Sequence, residues 1–364
     1  MIVMKFGGTS VQDAAAIRRV IDIVRGRLPD RPLVVVSALA RVTRLLVEIA
    51  GAQDPSEAME ALRARHCQVC RDLLHGPLLD ETLARVEALC QSIEGLHDQP
   101  AVISVGELLS STIVSAAFNQ AGIPCRWADA REMVHVTGDR MSGRPDLDRI
   151  EADVRRVVGS SSELTVTQGF IASTEDGLPA VLGFEGSDYS AAIFGMSLGA
   201  ERVEIWTDVD GIRTADPRYV PETCRIIRVS YDEAAEMARL GARVLHPMTI
   251  YPARTRQIPI LVLNTANPSC PGSRVEQDSA DGPKCVALLT DQDGREIGSR
   301  ALAGEQAGMS LVSLIGRNLG DEERRVMEAV TGAAVSVAPL SLSAPVDAAR
   351  AREMVTEIHN RIFL

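Results

Sequence analysis

The stretch that decides the fold is the N-terminal sequence IVMKFGGTSVQDAAAIRRVIDIVRGRL, residues 2–28. Its first five residues predict a short buried strand, GGTS predicts a tight turn, and the remainder predicts an amphipathic helix with apolar residues at helical spacing. RPLVVVSALA, residues 31–40, repeats this pattern, and its apolar run is typical of a strand buried on both faces. A second helix is expected from about Val42. Strand, loop and helix in alternation predict a parallel α/β fold.

The later segments continue the alternation. Residues 55–92 predict a helical excursion without strands, and residues 101–122 predict a strand, a glycine and a helix that ends at Gly122. PCRWADA predicts another short strand, strands and helices alternate again over residues 162–218, and IPILVLNT predicts a final apolar strand. We therefore expect an α/β architecture in which a mostly parallel sheet is sandwiched by helices.

A change in composition marks a domain boundary. Proline, glycine, serine and acidic residues cluster without periodicity in residues 267–284. We expect a large α/β domain over residues 1–275 and a smaller α+β domain over residues 285–364. In the smaller domain, CVALLT, MSLVSLIG and VSVAPLSL each predict one strand, a helix is expected from about Asp321, and the C-terminal segment predicts a second helix.

Composition limits the possible partners. The chain has 364 residues, a net charge of -11 and only 3% aromatic residues, which argues against nucleic acid because a basic face and stacking rings are lacking. No run of about 18 uncharged apolar residues appears, and the start MIVMKFGG reaches a charge too soon for a signal peptide. Seven scattered cysteines are typical of a reducing compartment. We expect a cytoplasmic protein without membrane contact, and no metal site at Cys67 and Cys70.

Five loops follow strand candidates, at the edge of an α/β sheet where ligands bind. They comprise residues 5–10, 37–43, 106–107, 183–188 and 207–218. Together they supply a lysine, hydroxyl groups, glycines and carboxylates, which are the groups that position a nucleotide phosphate with Mg²⁺. Each alone has a structural alternative, such as a helix cap at Ser187 and Asp188 or a first-turn acid at Glu107. Only Lys5 and Lys284 are lysines, so position 5 is expected to need a compact ammonium group.

Taken in chain order, eight strings resemble the aspartokinases. They are KFGGTSV (5–11), VVVSA (34–38), GELLSS (106–111), TQGFIAS (167–173), GSDYSAA (186–192), VEIWTDVDGI (203–212), ADPR (215–218) and GARVLHP (241–247). The resemblance covers residues 1–275 and implies the amino acid kinase fold. It also implies transfer of the ATP γ-phosphoryl group to the side-chain carboxylate of L-aspartate, with ATP and Mg²⁺ as cofactors and a homodimer as the assembly.

The resemblance further implies roles for individual residues. Lys5 would hold phosphate oxygens beside the amides of Gly7 and Gly8, and Asp188 would organise Lys5 or the metal-bound phosphates. Glu107 would accept the substrate ammonium group. The other implied positions are Thr207, Asp208, Asp216, Arg218 and Arg243 for the nucleotide, and Ser37, Thr43 and Ser187 for the amino acid. No general base is needed, because the acceptor carboxylate is already ionised at neutral pH.

The chain departs from the family in its substrate-facing segments. The family reads LGRGGSD or LGRNGSD where this chain has LGFEGSD, so Phe184 and Glu185 replace an arginine that clamps a substrate carboxylate and the residue after it. Arg41 and Arg44 stand where the family has glycine and asparagine. The two arginines are either a relocated clamp or solvent-facing helix residues. Arg243 replaces a lysine that the family directs at the phosphates, which changes a point donor into a planar fork.

Two other functions stay open beside aspartate phosphorylation. A kinase of the same fold that acts on another amino acid or a small carboxylate would explain Phe184 and Glu185. A non-catalytic relative that senses nucleotide or amino acid is disfavoured, because such a protein has no reason to keep both the phosphate contact Lys5 and the ammonium contact Glu107. Formation of an acyl phosphate distinguishes the two kinases from the sensor, and the accepted substrate distinguishes the kinases from each other.

Regulation generates a first prediction. Most family members carry two regulatory ACT modules after the kinase domain, whereas residues 285–364 have room for one ACT-like module. Lysine and threonine at millimolar concentration are therefore expected to leave the activity nearly unchanged, because a coupling of even about 1–3 kcal/mol requires a bound effector and two states. Steady-state rates with and without each amino acid measure the effect, and strong inhibition by either one would contradict the prediction.

Overall fold

The computed structural model describes residues 1–159, 163–183, 186–242, 245, 247–290 and 308–364. The chain divides into two units, of which the first comprises residues 1–208 with 263–270 and the second comprises residues 209–262 with 271–364. Phe184, Glu185 and Arg243 lie outside the described residues. The boundary expected between residues 275 and 285 stays a prediction.

The first unit is built on parallel strands. In chain order its strands are β1 Ile2–Phe6, β2 Pro32–Val36, β3 Cys125–Trp127, β4 His135–Thr137, β5 Arg144–Pro145, β6 Leu164–Gln168, β7 Ile171–Thr174, β8 Pro179–Val181 and β9 Val203–Thr207. Five of them form a parallel sheet in the order β9-β1-β2-β6-β3, and β5-β4-β7-β8 form a smaller mixed sheet. Every residue of β1, β2 and β6 is buried, which confirms the predicted α/β class with a mostly parallel sheet.

Seven α-helices of the first unit are described, and two of them pack on central strands of the parallel sheet. They are α1 Ala14–Arg25, α2 Val42–Gly51, α3 Ser56–Leu73, α4 Pro77–Gln91, α5 Gln99–Gln120, α6 Leu147–Val157 and α7 Gly186–Leu198. α1 begins after Asp13, whose carboxylate accepts a hydrogen bond from the Ala16 amide at 2.8 Å. α5 packs on β2, β3 and β6, and α7 packs on β1, β2 and β9. α2 begins at Val42, as predicted.

The strand predicted at the start of residues 101–122 is wrong, because Gln99–Gln120 form one continuous helix with Pro100 in its first turn. This helix, α5, is buried on all sides, so it shows no amphipathic period and its Val-Ile run resembles a buried strand. Among the described residues it is also the one helix long and apolar enough to span a membrane, yet 94% of that window is buried inside the protein. Gly122 follows the helix end with φ +73°, as predicted.

The elements after residue 208 are mainly short. They are β10 Arg228–Ser230, α8 Tyr231–Arg239, α9 Pro247–Thr255, β11 Ile260–Asn264, β12 Ser273–Glu276, β13 Gly282–Leu289, β14 Met309–Arg317, α10 Asp321–Thr331, β15 Ser336–Ala338, β16 Ser341–Asp347 and α11 Ala351–Phe363. β13-β14-β16-β15 form an antiparallel sheet, and α10 and α11 share a hydrophobic core with it. The single strand predicted at VSVAPLSL is wrong, because the chain turns at Pro339 and Leu340 and forms two strands, β15 and β16, that pair antiparallel with each other.

Gly106 generates a prediction about stability. A Cβ atom there would lie 2.9 Å from the Cβ of Ala38 and 3.0 Å from Cδ1 of Leu46, so glycine allows α5 to approach α2. We expect Gly106→Ala to lower the free energy of unfolding by about 1–3 kcal/mol, the usual cost of overpacking. Gly51→Ala is the matched control, because a Cβ on this α2 residue would meet no atom within 4 Å. Urea denaturation measures both, and equal stabilities would contradict the prediction.

Candidate active site

Lys5 lies in the centre of the parallel sheet, with Val35 of β2 and Ile205 of β9 as its neighbours. Its Nζ atom is 2.5 Å from Oδ1 of Asp188, and the two side chains are 11% and 16% exposed. A nearly buried ammonium group needs such a counter-charge. Asp188 supplies the charge from the first turn of α7, where the helix dipole also favours a carboxylate. The two residues expected to be catalytic are thus in direct contact.

The glycines after β1 are in close contact with the loop that follows β2. The amide of Ala40 donates to the carbonyl of Gly8 at 3.1 Å, and a Cβ atom on Gly8 would lie 2.9 Å from the carbonyl oxygen of Ala38. Any other residue at this position would displace the neighbouring loop. A Cβ atom on Gly7 would lie 3.6 Å from Nζ of Lys5. Gly7 therefore leaves the ammonium accessible on that side, as a phosphate oxygen would require.

Glu107 is the buried acid of the site. It lies on α5, is 3% exposed, and accepts a hydrogen bond at Oε1 from the Ala38 amide at 3.1 Å. Its Oε2 atom is buried and has no hydrogen-bond partner in the described part of the chain. Burial raises the pKa of Glu107 to about 8, while backbone amides and the charge of Lys5 lower it by less. A buried carboxylate with one unpaired oxygen is suited to a cationic ligand such as an ammonium group.

The start of α7 is fixed by close backbone contacts. A Cβ atom on Gly169, directly after β6, would lie only 2.7 Å from Cα of Ser187. The next residue, Phe170, has φ +68°, and its amide donates to Oγ of Ser190 at 2.9 Å. These contacts place Ser187 and Asp188 at the carboxyl-terminal edge of the sheet. Gly169 stands in the string TQGFIAS, but only the fold reveals why it is glycine.

One cleft of about 1120 Å³ in the first unit gathers most of the expected site residues. Its lining includes Lys5, Gly7, Gly8, Ser37, Arg41, Thr43, Glu107, Ser187, Asp188, Thr207 and Asp208. The volume exceeds that of a usual pocket for one small ligand, about 300–1,000 Å³, and leaves room for a nucleotide with a second molecule. Arg44 is not in the lining: its side chain is 86% exposed and pairs with Glu48 one helical turn further along α2.

The remaining expected residues lie elsewhere. Asp216 and Arg218 belong to the second unit, where the Arg218 amide and Nε both donate to the Asp216 carboxylate. Arg243 lies outside the described residues. Arg65 of α3 lines the cleft although no sequence pattern had marked it, because it stands in the helical segment 55–92 without a motif. Among the described residues, no three His, Cys, Asp or Glu side chains form a group that would hold a metal ion.

The chain belongs to the amino acid kinase family, whose profile matches residues 1–264, and within it to the aspartokinases. It is 37% identical over 309 residues to the lysine-sensitive aspartokinase 3 of Escherichia coli K12, which covers 80% of this chain and 68% of that protein. The crystal structure of E. coli aspartokinase III in complex with aspartate and ADP matches with a TM-score of 0.87 and 28% identity, over 100% of both chains. The predicted family is confirmed.

Other relatives are longer proteins. The bifunctional aspartokinase/homoserine dehydrogenase 1 of Zea mays is 37% identical over 299 residues, which cover 77% of this chain and 32% of that protein. The chain therefore spans about a third of the length of the bifunctional relatives that it matches. The fold predicted from the resemblance is confirmed by the E. coli structure, and the roles of the individual site residues stay predictions.

Burial of Glu107 generates a prediction about pH. The pKa of Glu107 is about 8 in the folded protein against an ordinary value of 4.5, so the folded state binds more protons than the unfolded state between these values. Stability should therefore fall as the pH rises from 5 to 8, with a contribution from this group of about 3 kcal/mol. Glu107→Gln removes the titration and should reduce the fall by that amount. Urea denaturation of the unliganded proteins at both pH values measures it, and an identical pH dependence would contradict the burial.

Proposed function

We propose that this protein transfers the γ-phosphoryl group of ATP to the side-chain carboxylate of L-aspartate, giving 4-phospho-L-aspartate and ADP in a step of amino-acid biosynthesis. The observation that carries the proposal is that one cleft contains both the Lys5–Asp188 ion pair and the buried carboxylate of Glu107. The first is suited to a phosphate and the second to an ammonium group. The similarity to the E. coli enzyme that was crystallised with aspartate and ADP supports the same pair of ligands.

The ion pair would act on the transferring group. Both the acceptor carboxylate and the nucleotide are anions, so a fixed positive charge between them lowers the cost of bringing them together. Asp188 holds the ammonium of Lys5 from one side, and Gly7 leaves its other side accessible. In the transfer a carboxylate oxygen bonds to the γ-phosphorus, and the bond from that phosphorus to the bridging oxygen of ADP breaks. No proton needs to be removed from the nucleophile.

The amino acid would bind between the loop after β2 and α5. Glu107 takes the ammonium group on its unpaired Oε2, which stabilises the ionised form of the carboxylate and lowers its pKa. The hydroxyl groups of Ser37 and Thr43 line the same cleft and make no hydrogen bond within the described residues. They are therefore available as donors to a substrate carboxylate.

Mg²⁺ is proposed as the metal that accompanies the nucleotide. The cleft contains the carboxylates of Asp188 and Asp208, and Mg²⁺ commonly binds through one or two carboxylates together with phosphate oxygens and water. Asp208 also accepts a hydrogen bond from the Thr207 hydroxyl at 3.2 Å, which orients its carboxylate. These residues fit such an ion, which would neutralise phosphate charge when bound.

We further propose a cytoplasmic location and a homodimer. The seven cysteines, all within the described residues, form no disulfide bond with one another, as is usual in a reducing compartment. Edge strand β15 is exposed along its three residues, and its Val337 is 63% exposed, so it offers a surface for a second copy of the chain. Light scattering after size exclusion tests the assembly, and a mass of 39.1 kDa at working concentration would contradict the dimer.

The proposed reaction is tested by trapping the acyl phosphate with hydroxylamine. With ATP, Mg²⁺ and a panel of amino acids and small dicarboxylates, we expect L-aspartate to give the hydroxamate at the highest kcat/KM. Lys5→Ala should reduce the rate by about 10²-fold or more, the scale of one lost electrostatic contact in a transition state. Circular dichroism of the variant checks that the fold is intact. No hydroxamate from aspartate, or unchanged turnover in Lys5→Ala, would contradict the proposal.

A further inference from the structure

Arg41 and Arg65 are two cationic side chains of the cleft without an ion-pair partner among the described residues. Both line the cleft, and neither has a carboxylate oxygen within 4.0 Å in the part of the chain that the structure describes. Arg65 projects from α3 and is held by two backbone carbonyls: Nη1 donates to Ala40 at 2.7 Å and Nη2 donates to Gln12 at 3.3 Å. These bonds fix the guanidinium group without compensating its charge. It therefore remains a defined cationic site for an anion.

Arg41 adds a second charge to the same place. It precedes α2 with φ +70°, a left-handed conformation that costs a non-glycine residue about 1–2 kcal/mol. Such strain is typical of functional sites. The carbonyl that anchors the Arg65 guanidinium belongs to Ala40, the residue directly before Arg41 in the loop after β2. Burial lowers the pKa of Arg65, and the charge of Arg41 lowers it further, as expected for like charges held close together.

The acid that acts on the pKa of Arg65 already accepts a hydrogen bond elsewhere. Asp13 raises the pKa of Arg65, but its carboxylate caps helix α1 through the Ala16 amide at 2.8 Å. Since the described residues bring no carboxylate within ion-pair distance of either guanidinium group, a bound anion would supply that counter-charge. A planar guanidinium matches a carboxylate with two parallel hydrogen bonds, which a second nearby cation strengthens.

We propose that Arg41 and Arg65 form a carboxylate-binding pair that holds the α-carboxylate of the amino acid substrate. This inference rests on the proposed function and identifies the residues that would orient the substrate. The pair takes the place of the arginine that the family has at position 184, where this chain has phenylalanine. Arg65, fixed by its two carbonyl contacts, is the preorganised member, and Arg41 is the solvent-exposed member.

The position of the arginine pair relative to Glu107 favours an α-amino acid as the ligand. The loop that carries the Arg65 anchor Ala40 also carries Ala38, whose amide binds Oε1 of Glu107. Ala38 and Ala40 are two residues apart, which is at most about 7 Å of chain. The ammonium and carboxylate groups of an α-amino acid share one carbon atom, so their partners must also lie close together. With both groups held, the side-chain carboxylate of aspartate is left for the phosphoryl group.

The α-amide of L-aspartate provides the sharpest test, because it keeps the ammonium group and side-chain carboxylate and loses only the α-carboxylate charge. We expect Arg65→Met to lower kcat/KM for aspartate by about 10- to 100-fold, the effect of a lost charge-assisted bond. The value for the α-amide should change by less than about twofold, since that substrate lacks the group that the arginine binds. The KM for ATP should stay unchanged. Arg65→Lys, which keeps the charge and loses the fork, should give an intermediate loss for aspartate.

Two further variants complete the design. Glycine readily adopts the left-handed conformation found at position 41, so any effect of Arg41→Gly comes from loss of the side chain. This variant should also lower kcat/KM for aspartate more than kcat/KM for the α-amide. Arg71→Met is the matched control, because Arg71 is exposed on the same helix α3 and does not line the cleft. Its kinetic values should equal those of the unaltered protein.

Several outcomes would overturn the pair. Equal losses for aspartate and its α-amide in Arg65→Met would show that Arg65 only positions the loop, and a raised KM for ATP would show that the anion is a phosphate. An unchanged kcat/KM for aspartate in Arg65→Met would exclude a contact between Arg65 and this substrate. If the unaltered protein forms no acyl phosphate from aspartate, the proposed function fails, and calorimetric affinities of aspartate and its α-amide in the same variants still decide the role of the pair. No binding of aspartate at all would overturn both.

Discussion

The ion pair between Lys5 and Asp188 is the interaction on which the arrangement of the cleft depends. An ammonium group among apolar strands is stable only with a counter-charge in direct contact, and Asp188 provides it at 2.5 Å. That requirement brings the first turn of α7 to the end of β1. The approach in turn requires glycine at position 169, where a side chain would collide with Ser187. This side of the cleft, where we propose that phosphate binds, thus follows from one lysine in the middle of a parallel sheet.

The sequence predicted those parts of the fold whose own residues show a clear pattern of apolar and polar positions. The strands at residues 2–6 and 32–36 are short apolar runs that end in small residues, and both are buried as expected. α5 lacks such a signal, because a helix buried on all sides has no polar face to set its period. The hairpin of β15 and β16 was missed because three residues make a strand too short to show alternation.

The sequence predicted some residues of the candidate site and not others, for a related reason. Lys5, Asp188 and Glu107 come from family motifs, and the cleft contains all three. Arg65 belongs to no motif: its place depends on α3 packing beside the loop after β2, which only the fold establishes. Arg41 and Arg44 looked equivalent in sequence, yet three residues of helix turn Arg44 toward Glu48 and solvent. The fold, and not the sequence pattern, therefore decides which arginine lines the cleft.

The proposed orientation of the amino acid, with its ammonium group at Glu107 and its side-chain carboxylate at Lys5, is tested most directly by the position of the phosphoryl group. Borohydride reduces an acyl phosphate to a primary alcohol, so the phosphorylated carboxyl group is identified by the product. Reaction with ATP and L-aspartate followed by reduction and chromatography should give homoserine, the product of side-chain phosphorylation. Formation of its isomer 3-amino-4-hydroxybutanoate would show that the α-carboxylate faces Lys5 and would contradict this orientation.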